Sequence, residues 1–203
     1  REVKQVAAQA EQQSGVEFIK MEMGIPGLPA AQVGVDAQVE ALRGGIAHSY
    51  PDIQGQPELK RQASRFVKAF IGVDIAAEGC VPVCGSMQGT FASFLTCSQA
   101  DRRRDTVLFI DPGFPVQKMQ LQVLGVKYET FDVYDYRGDK IGPKIESYLS
   151  KGNICAIVYS NPNNPSWVCL TESELQQIGR LATHYDAIVM EDLAYFAMDF
   201  RQD

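Results

Sequence analysis

From residue 80 onward, short apolar runs alternate with amphipathic stretches. That alternation constrains the fold more than any other feature of the 203-residue chain. The runs TVLFI (106–110), CAIVY (155–159) and AIVM (187–190) are continuously apolar. A strand with one wet face alternates polar and apolar side chains, so continuous runs indicate strands covered on both faces. Strands are expected at Cys80–Cys84, Thr106–Asp111, Val126–Val133, Ile154–Ser160 and Ala187–Asp192. Helical spacing predicts helices at Met87–Ser98, Pro115–Leu124, Gly142–Leu149 and Thr171–Tyr185, the last opening on a capping-box pattern, Thr171-Glu172-Ser173-Glu174. Strand and helix in turn imply an α/β fold with a mostly parallel sheet and right-handed crossovers.

The upstream third is less regular. Residues 1–14 read as a short helix, and MEMGIPGLPA (21–30) as an irregular Gly/Pro stretch. Gln56 to Phe70 forms a stronger helix with Leu59, Ala63, Phe66, Val67 and Phe70 on one stripe. Pro57 suits its first turn and Gly72 lies just past its end.

Composition excludes several classes of function. The net charge is −6, and the one basic run, Arg102-Arg103-Arg104, falls between a helix and a strand, so nucleic acid is not an expected partner. Five cysteines are spread singly, without the paired spacing of a zinc site, and with only two histidines in the chain. Unpaired thiols suit a reducing compartment, and a cytoplasmic location is expected. The longest apolar run is far short of the roughly 20 residues that span a bilayer, so no membrane partner is expected. The chain opens with Arg1 rather than Met, and a longer native N-terminus is expected.

In open parallel sheets, ligands bind outside the carboxyl ends of the strands. The loops there are 85–88, 112–115, 161–166 and 192–195. Gly85-Ser86-Met87-Gln88-Gly89 follows a strand and opens a helix, where free N–H groups and the helix dipole suit a phosphate. An ordinary strand-to-helix turn would look the same. Phe114 could stack on a flat ligand or pack in the core. Asn164, between Pro162 and Pro165, offers a pre-set amide donor or a structural Asx turn. Asp192 ends an apolar strand, and a part-buried carboxylate there needs a partner: a cationic ring nitrogen, or the backbone of the next segment. Tyr195, three residues on, reaches the same place or packs.

Taken together, these motifs resemble the large domain of class I/II aminotransferases, the pyridoxal 5′-phosphate-dependent enzymes of fold type I. The resemblance covers residues from about 20 to 203. It implies a three-layer large domain with a mostly parallel sheet, incomplete in this chain: residues 1–45 as an N-terminal arm or part of a small domain, and 46–203 as a partial cofactor-binding domain. It implies that Ser86, Met87 and Gln88 hold the cofactor phosphate and that Phe114 stacks on its ring. Asn164 and Tyr195 would donate to the ring's 3-oxygen, and Asp192 would pair with its nitrogen, giving Asp192 and Tyr195 catalytic roles. Gly24 in MGIPG would lie by the substrate carboxylate. Tyr50 in SYPDIQG would reach the cofactor phosphate of a second subunit, which implies a homodimer.

The implied activity is transfer of an amino group between an amino acid and a 2-oxo acid. Alternatives on the same apparatus are a C–S lyase, a decarboxylase, or a non-catalytic pyridoxal-phosphate-sensing domain of a transcription regulator. A nucleotide-binding α/β domain fits less well, because the glycine loop is wrong for it and Asn164 and Asp192 would have no role. Ser166-Trp167 stands where the family carries Thr-Gly, placing bulk near the site. None of the nine lysines, the last being Lys151, matches the family's Schiff-base lysine. That lysine and the carboxylate-binding arginine are expected beyond residue 203, in a protein about twice this length. The 203 residues by themselves are expected to be inactive.

Overall fold

The computed structural model describes residues 2–21, 24 and 27–196. The chain divides into two compact units, Arg1–Pro51 and Asp52–Asp203.

The first unit holds helices α1 (Glu2–Ser14) and α2 (Gln32–Arg43), neither with a buried residue. α2 is not among the helices expected from the sequence, although Val35, Val39 and Leu42 stand at helical spacing. Its apolar residues Val33, Val35, Val39 and Leu42 are all exposed, and Gly34 sits inside it at a cost in helix propensity.

The second unit opens with α3 (Pro57–Ile71), where Pro57 takes the first turn and Gly72, with φ +76°, closes the end. Its apolar stripe runs as expected, yet Leu59, Phe66 and Phe70 are exposed among the described residues. Then follow α4 (Ser86–Ala100), β1 (Thr106–Asp111), α5 (Pro115–Leu124), β2 (Lys127–Asp132), α6 (Ile141–Leu149), β3 (Ile154–Ser160), α7 (Glu172–His184) and β4 (Ile188–Asp192). The strands lie in the order β2-β1-β3-β4, and every pairing is parallel.

Period-two alternation sorts the core into two halves. Leu108, Ile110, Ile157 and Tyr159 face one way and pack with Ile141, Ile145 and Leu149 of α6 and Ile178 of α7. Val107, Phe109, Ala156 and Val158 face the other way and pack with Phe94 of α4 and Leu121 of α5. The result is a sheet between two helical layers, with its two central strands β1 and β3 dry on both faces, as their continuous apolar runs require. All seven residues of β3 are buried.

Two expectations are corrected. Cys80–Cys84 is not a strand: it pairs with no described strand, and Val81 and Val83 are exposed. A strand exists only through a hydrogen-bonded neighbour, which alternation in one segment cannot supply. β4 is also not covered on both faces, since Ile188 is 54% exposed and Val189 lies open as well. Among the described residues no helix is long and apolar enough to cross a membrane.

The capping box of α7 does more than end a helix. Thr171 Oγ1 accepts from the Glu174 N–H at 3.3 Å, and Glu174 Oε2 accepts from the Thr171 N–H at 2.8 Å. The same carboxylate, fully buried, also takes both arms of Arg137 (Nε 2.6 Å, Nη2 2.8 Å) and the Gly138 N–H at 2.7 Å. Arg137 Nη2 donates further to the Cys169 carbonyl at 3.0 Å. One buried acid thus ties the segment before α6 to the start of α7. Burial pushes its carboxyl up, but the Arg137 guanidinium and the N–H groups of Gly138 and Thr171 outweigh that, and its pKa falls to about 2.

A folded pKa below the unfolded value of 4.5 means that the unfolded chain binds the extra proton. The stabilisation is therefore complete above about pH 4.5 and is lost as pH falls through about 2. Arg137→Ala strands the buried carboxylate and should cost about 3–5 kcal/mol by urea unfolding at pH 7. Glu174→Gln should flatten the fall of stability with pH across that acid window.

Candidate functional site

Four parallel strands place all four carboxyl ends along one edge. Asp111 ends β1, Ser160 ends β3 and Asp192 ends β4, while α4 begins at Ser86. Asp111 binds Lys118 of α5, with Nζ 2.6 Å from Oδ1 and 2.5 Å from Oδ2. The neighbouring Gln117 side chain is buried, and its Nε2 donates to Asp192 Oδ2 at 3.0 Å. The first turns of α5 therefore hold the acids of β1 and β4 together across the end of β3.

Asn163 organises the loop between them. It is buried, and its Nδ2 donates to the Pro112 carbonyl at 2.6 Å and to Ser160 Oγ at 3.0 Å. Its Oδ1 accepts from Ser166 Oγ at 2.6 Å and from the Ser166 N–H at 3.2 Å. Asn161 ties the same loop to β4: its N–H donates to the Asp192 carbonyl at 3.2 Å and its Nδ2 to Glu191 Oε1 at 3.2 Å. The Asp111-Pro112, Asn161-Pro162 and Asn164-Pro165 bonds are cis.

Asp192 is half-buried. Its Oδ2 accepts from Gln117 and its Oδ1 from the Ala194 N–H at 3.2 Å. An ionised carboxylate has about four acceptor sites, so roughly two remain for a donor in the space beside it. That space is a cavity of about 570 Å³ whose lining includes Ser86, Thr90, Phe94, Gln117, Asp192 and Ala194.

At its other side, Gly85 takes φ +86° and ψ 156°, a conformation open essentially to glycine alone. α4 then starts with no side-chain cap. Gln88 turns its Oε1 back onto the Cys84 N–H at 2.6 Å, while its amide N–H groups remain donors. Ser86, Met87 and Gln88 are exposed. Gln120 of α5 donates to the Met87 carbonyl at 2.8 Å and so braces the turn from below.

Of the residues expected at the site, Ser86 and Asp192 line the cavity together. Met87 and Gln88 share the first turn of α4 with Ser86. Phe114 caps the start of α5, half-buried. Asn164 lies on the pinned loop after β3, with its N–H on Ser160 Oγ at 3.3 Å. Its side-chain amide has no hydrogen-bond partner among the described residues. Tyr195 is half-buried after β4, its ring 5.4 Å from that of Trp167. Gly24 and Tyr50 belong to the other unit, where both are exposed and Tyr50 entirely so.

Sequence reasoning missed Asn163 and Gln117. Asn163 sits beside Asn164, and composition does not say which of two adjacent amides turns inward. Gln117 carries one legible signal: it is a polar residue that helical spacing places with apolar Leu121 on the buried face of α5.

Comparison with known proteins adds a consistent picture. The profile of the family "Aminotransferase class I and II" matches residues 16–202. The LL-diaminopimelate aminotransferase of Halothermothrix orenii is 26% identical over 197 residues, covering 96% of this chain and 49% of that protein. The solved structure of alanine aminotransferase from Pyrococcus furiosus superposes with a TM-score of 0.77 at 22% identity, covering 94% of this chain and 48% of that one. YbdL from Escherichia coli gives a TM-score of 0.82 at 17% identity, covering 98% and 51%. At those identities the structures show a shared fold. The chain spans about half the length of the relatives it matches.

The two adjacent amides should separate in stability. Asn163→Asp removes the donor to Pro112 and buries a charge, and should cost about 2–3 kcal/mol. Asn164→Ala, on the half-exposed side of the loop, should cost less than about 1 kcal/mol. Urea unfolding of both variants checks the order.

Proposed function

From the premise that the chain belongs to the class I and II aminotransferase family, we propose that the protein transfers an amino group between an amino acid and a 2-oxo acid with pyridoxal 5′-phosphate. The observation that carries this reading is the shared cavity: the uncapped start of α4 and the carboxylate of Asp192 line one space of about 570 Å³. That volume falls within the range of small-molecule sites.

The donor set fits the group. The exposed first turn of α4, with the Ser86 hydroxyl and the Gln88 amide, suits a phosphate dianion. When bound, the cofactor supplies an electron sink for charge developing beside the substrate nitrogen. Asp192, held by Gln117 and Ala194, has acceptor capacity left for a protonated ring nitrogen and keeps the proton there by its charge. Asn164 and Tyr195, on the loops after β3 and β4, are assigned to donate to a ring oxygen, and Phe114 to cover a ring face.

Gly24 is assigned to the substrate carboxylate. Tyr50 is assigned to the cofactor phosphate of a second copy of the chain, which makes the protein a homodimer. Its complete exposure leaves the hydroxyl available to a partner. We assign the protein to the cytoplasm, with its five cysteines present as free thiols.

Equilibrium dialysis of pyridoxal 5′-phosphate against the intact protein tests the assignment. Losing a charge-assisted hydrogen bond is worth about 1.5–3 kcal/mol. Asp192→Ala should therefore weaken binding roughly tenfold to a hundredfold, and transaminase turnover should fall with it. Native affinity in Asp192→Ala would remove the acid from the site, and native cofactor retention in Tyr50→Phe would remove the cross-subunit contact.

A further inference from the structure

Trp167 is a residue of the candidate site whose side chain the aminotransferase reading leaves unexplained. Its φ of +56° lies in the left-handed region, which a Cβ makes unfavourable and which glycine occupies freely. The turn that imposes this angle is held by Asn163 on both sides. The Trp167 N–H donates to the Asn163 carbonyl at 2.8 Å, and the Asn163 N–H donates to the Val168 carbonyl at 3.0 Å. Strained backbone angles cluster at functional sites, and Trp167, 58% exposed, does not owe its angle to packing in the core. What its indole does meet is the Tyr195 ring, 5.4 Å away and tilted by 57°.

The pairing bridges the loop after β3 to the loop after β4. Asn161 joins the bases of those loops through Glu191 and the Asp192 backbone. Trp167 and Tyr195 join them farther out, and the Tyr195 hydroxyl has no hydrogen-bond partner among the described residues. A phenol ring on the turn after β4 has rotamer freedom unless something rests against it. The indole is what rests against it.

We propose that Trp167 is the positioning residue for Tyr195, holding its ring so that the hydroxyl meets the cofactor. This rests on the aminotransferase reading and extends it to a residue that touches neither phosphate nor ring nitrogen. Trp167 acts through Tyr195 and is not itself a catalytic residue.

A double-mutant cycle on pyridoxal 5′-phosphate affinity, measured by equilibrium dialysis with the intact protein, tests the coupling. Trp167→Gly removes the ring and relaxes the backbone at once. The thermal midpoint of the cofactor-free protein should stay within about 2 °C, while binding weakens about three- to tenfold, the worth of a tilted ring pair. Trp167→Phe should recover most of the affinity. Trp167→Leu should not, and it carries the same test if the glycine variant does not fold. The double variant Trp167→Gly with Tyr195→Phe should bind no more weakly than Tyr195→Phe alone, because the indole's effect passes through the hydroxyl. Native affinity in Trp167→Gly, or losses that multiply in the double variant, would overturn the proposal. A native protein that binds no pyridoxal 5′-phosphate would overturn the aminotransferase reading and this inference with it.

Discussion

A strand that is buried on both faces and paired on both edges has no place for a polar group except its ends. β3 is such a strand: all of Ile154–Ser160 is buried, with β1 on one side and β4 on the other. Its neighbours run parallel to it, so the polar residues of three strands emerge along one edge. The loops that follow must satisfy their own backbone groups there without help from the ladder. Asn161 and Asn163 supply that satisfaction. Each spends both ends of its amide on loop backbone or on a neighbouring strand end. The candidate site is what remains on that edge once the loops have been fixed.

The consequence is division of labour among adjacent residues. In α5, Lys118 turns to Asp111 of β1 while Gln117 turns to Asp192 of β4. In the loop after β3, Asn163 turns inward to hold the chain while Asn164 keeps a side-chain amide without a described partner. In α7, Glu174 both caps its helix and neutralises Arg137. In the two adjacent pairs, one residue holds the frame and the other stands near the working edge. Rigidity beneath a site and reactivity within it have to be separated in this way, because a group fully engaged in structure has no hydrogen bond left for a ligand.

Much of the fold was legible in advance, for a definite reason. Continuous apolar runs marked β1, β3 and the start of β4, and the Thr171-to-Glu174 pattern marked the entry to α7, because both signals are local. α2 was not read, although α1, which likewise buries no residue, was. Cys80–Cys84 was misread because its alternating Val81 and Val83 say nothing about whether a neighbour pairs with it. At the site, Ser86 and Asp192 were legible as candidates from their positions at element ends, and they line one cavity. Gln117 and Asn163 were not, since their importance lies in contacts 75 and 51 residues away along the chain.

Sequence alone therefore determined the α/β class, the parallel run of the strands, the family resemblance and the edge on which polar residues would gather. These follow from periodicity, from turn chemistry and from the geometric rule that parallel strands share an end. Only the tertiary structure decided which of two neighbouring asparagines faces inward, that Gln117 reaches Asp192, and that Trp167 takes a glycine's backbone angle beside Tyr195. Those outcomes depend on distances between residues far apart in the chain, and such distances exist only after the helices have packed on the sheet.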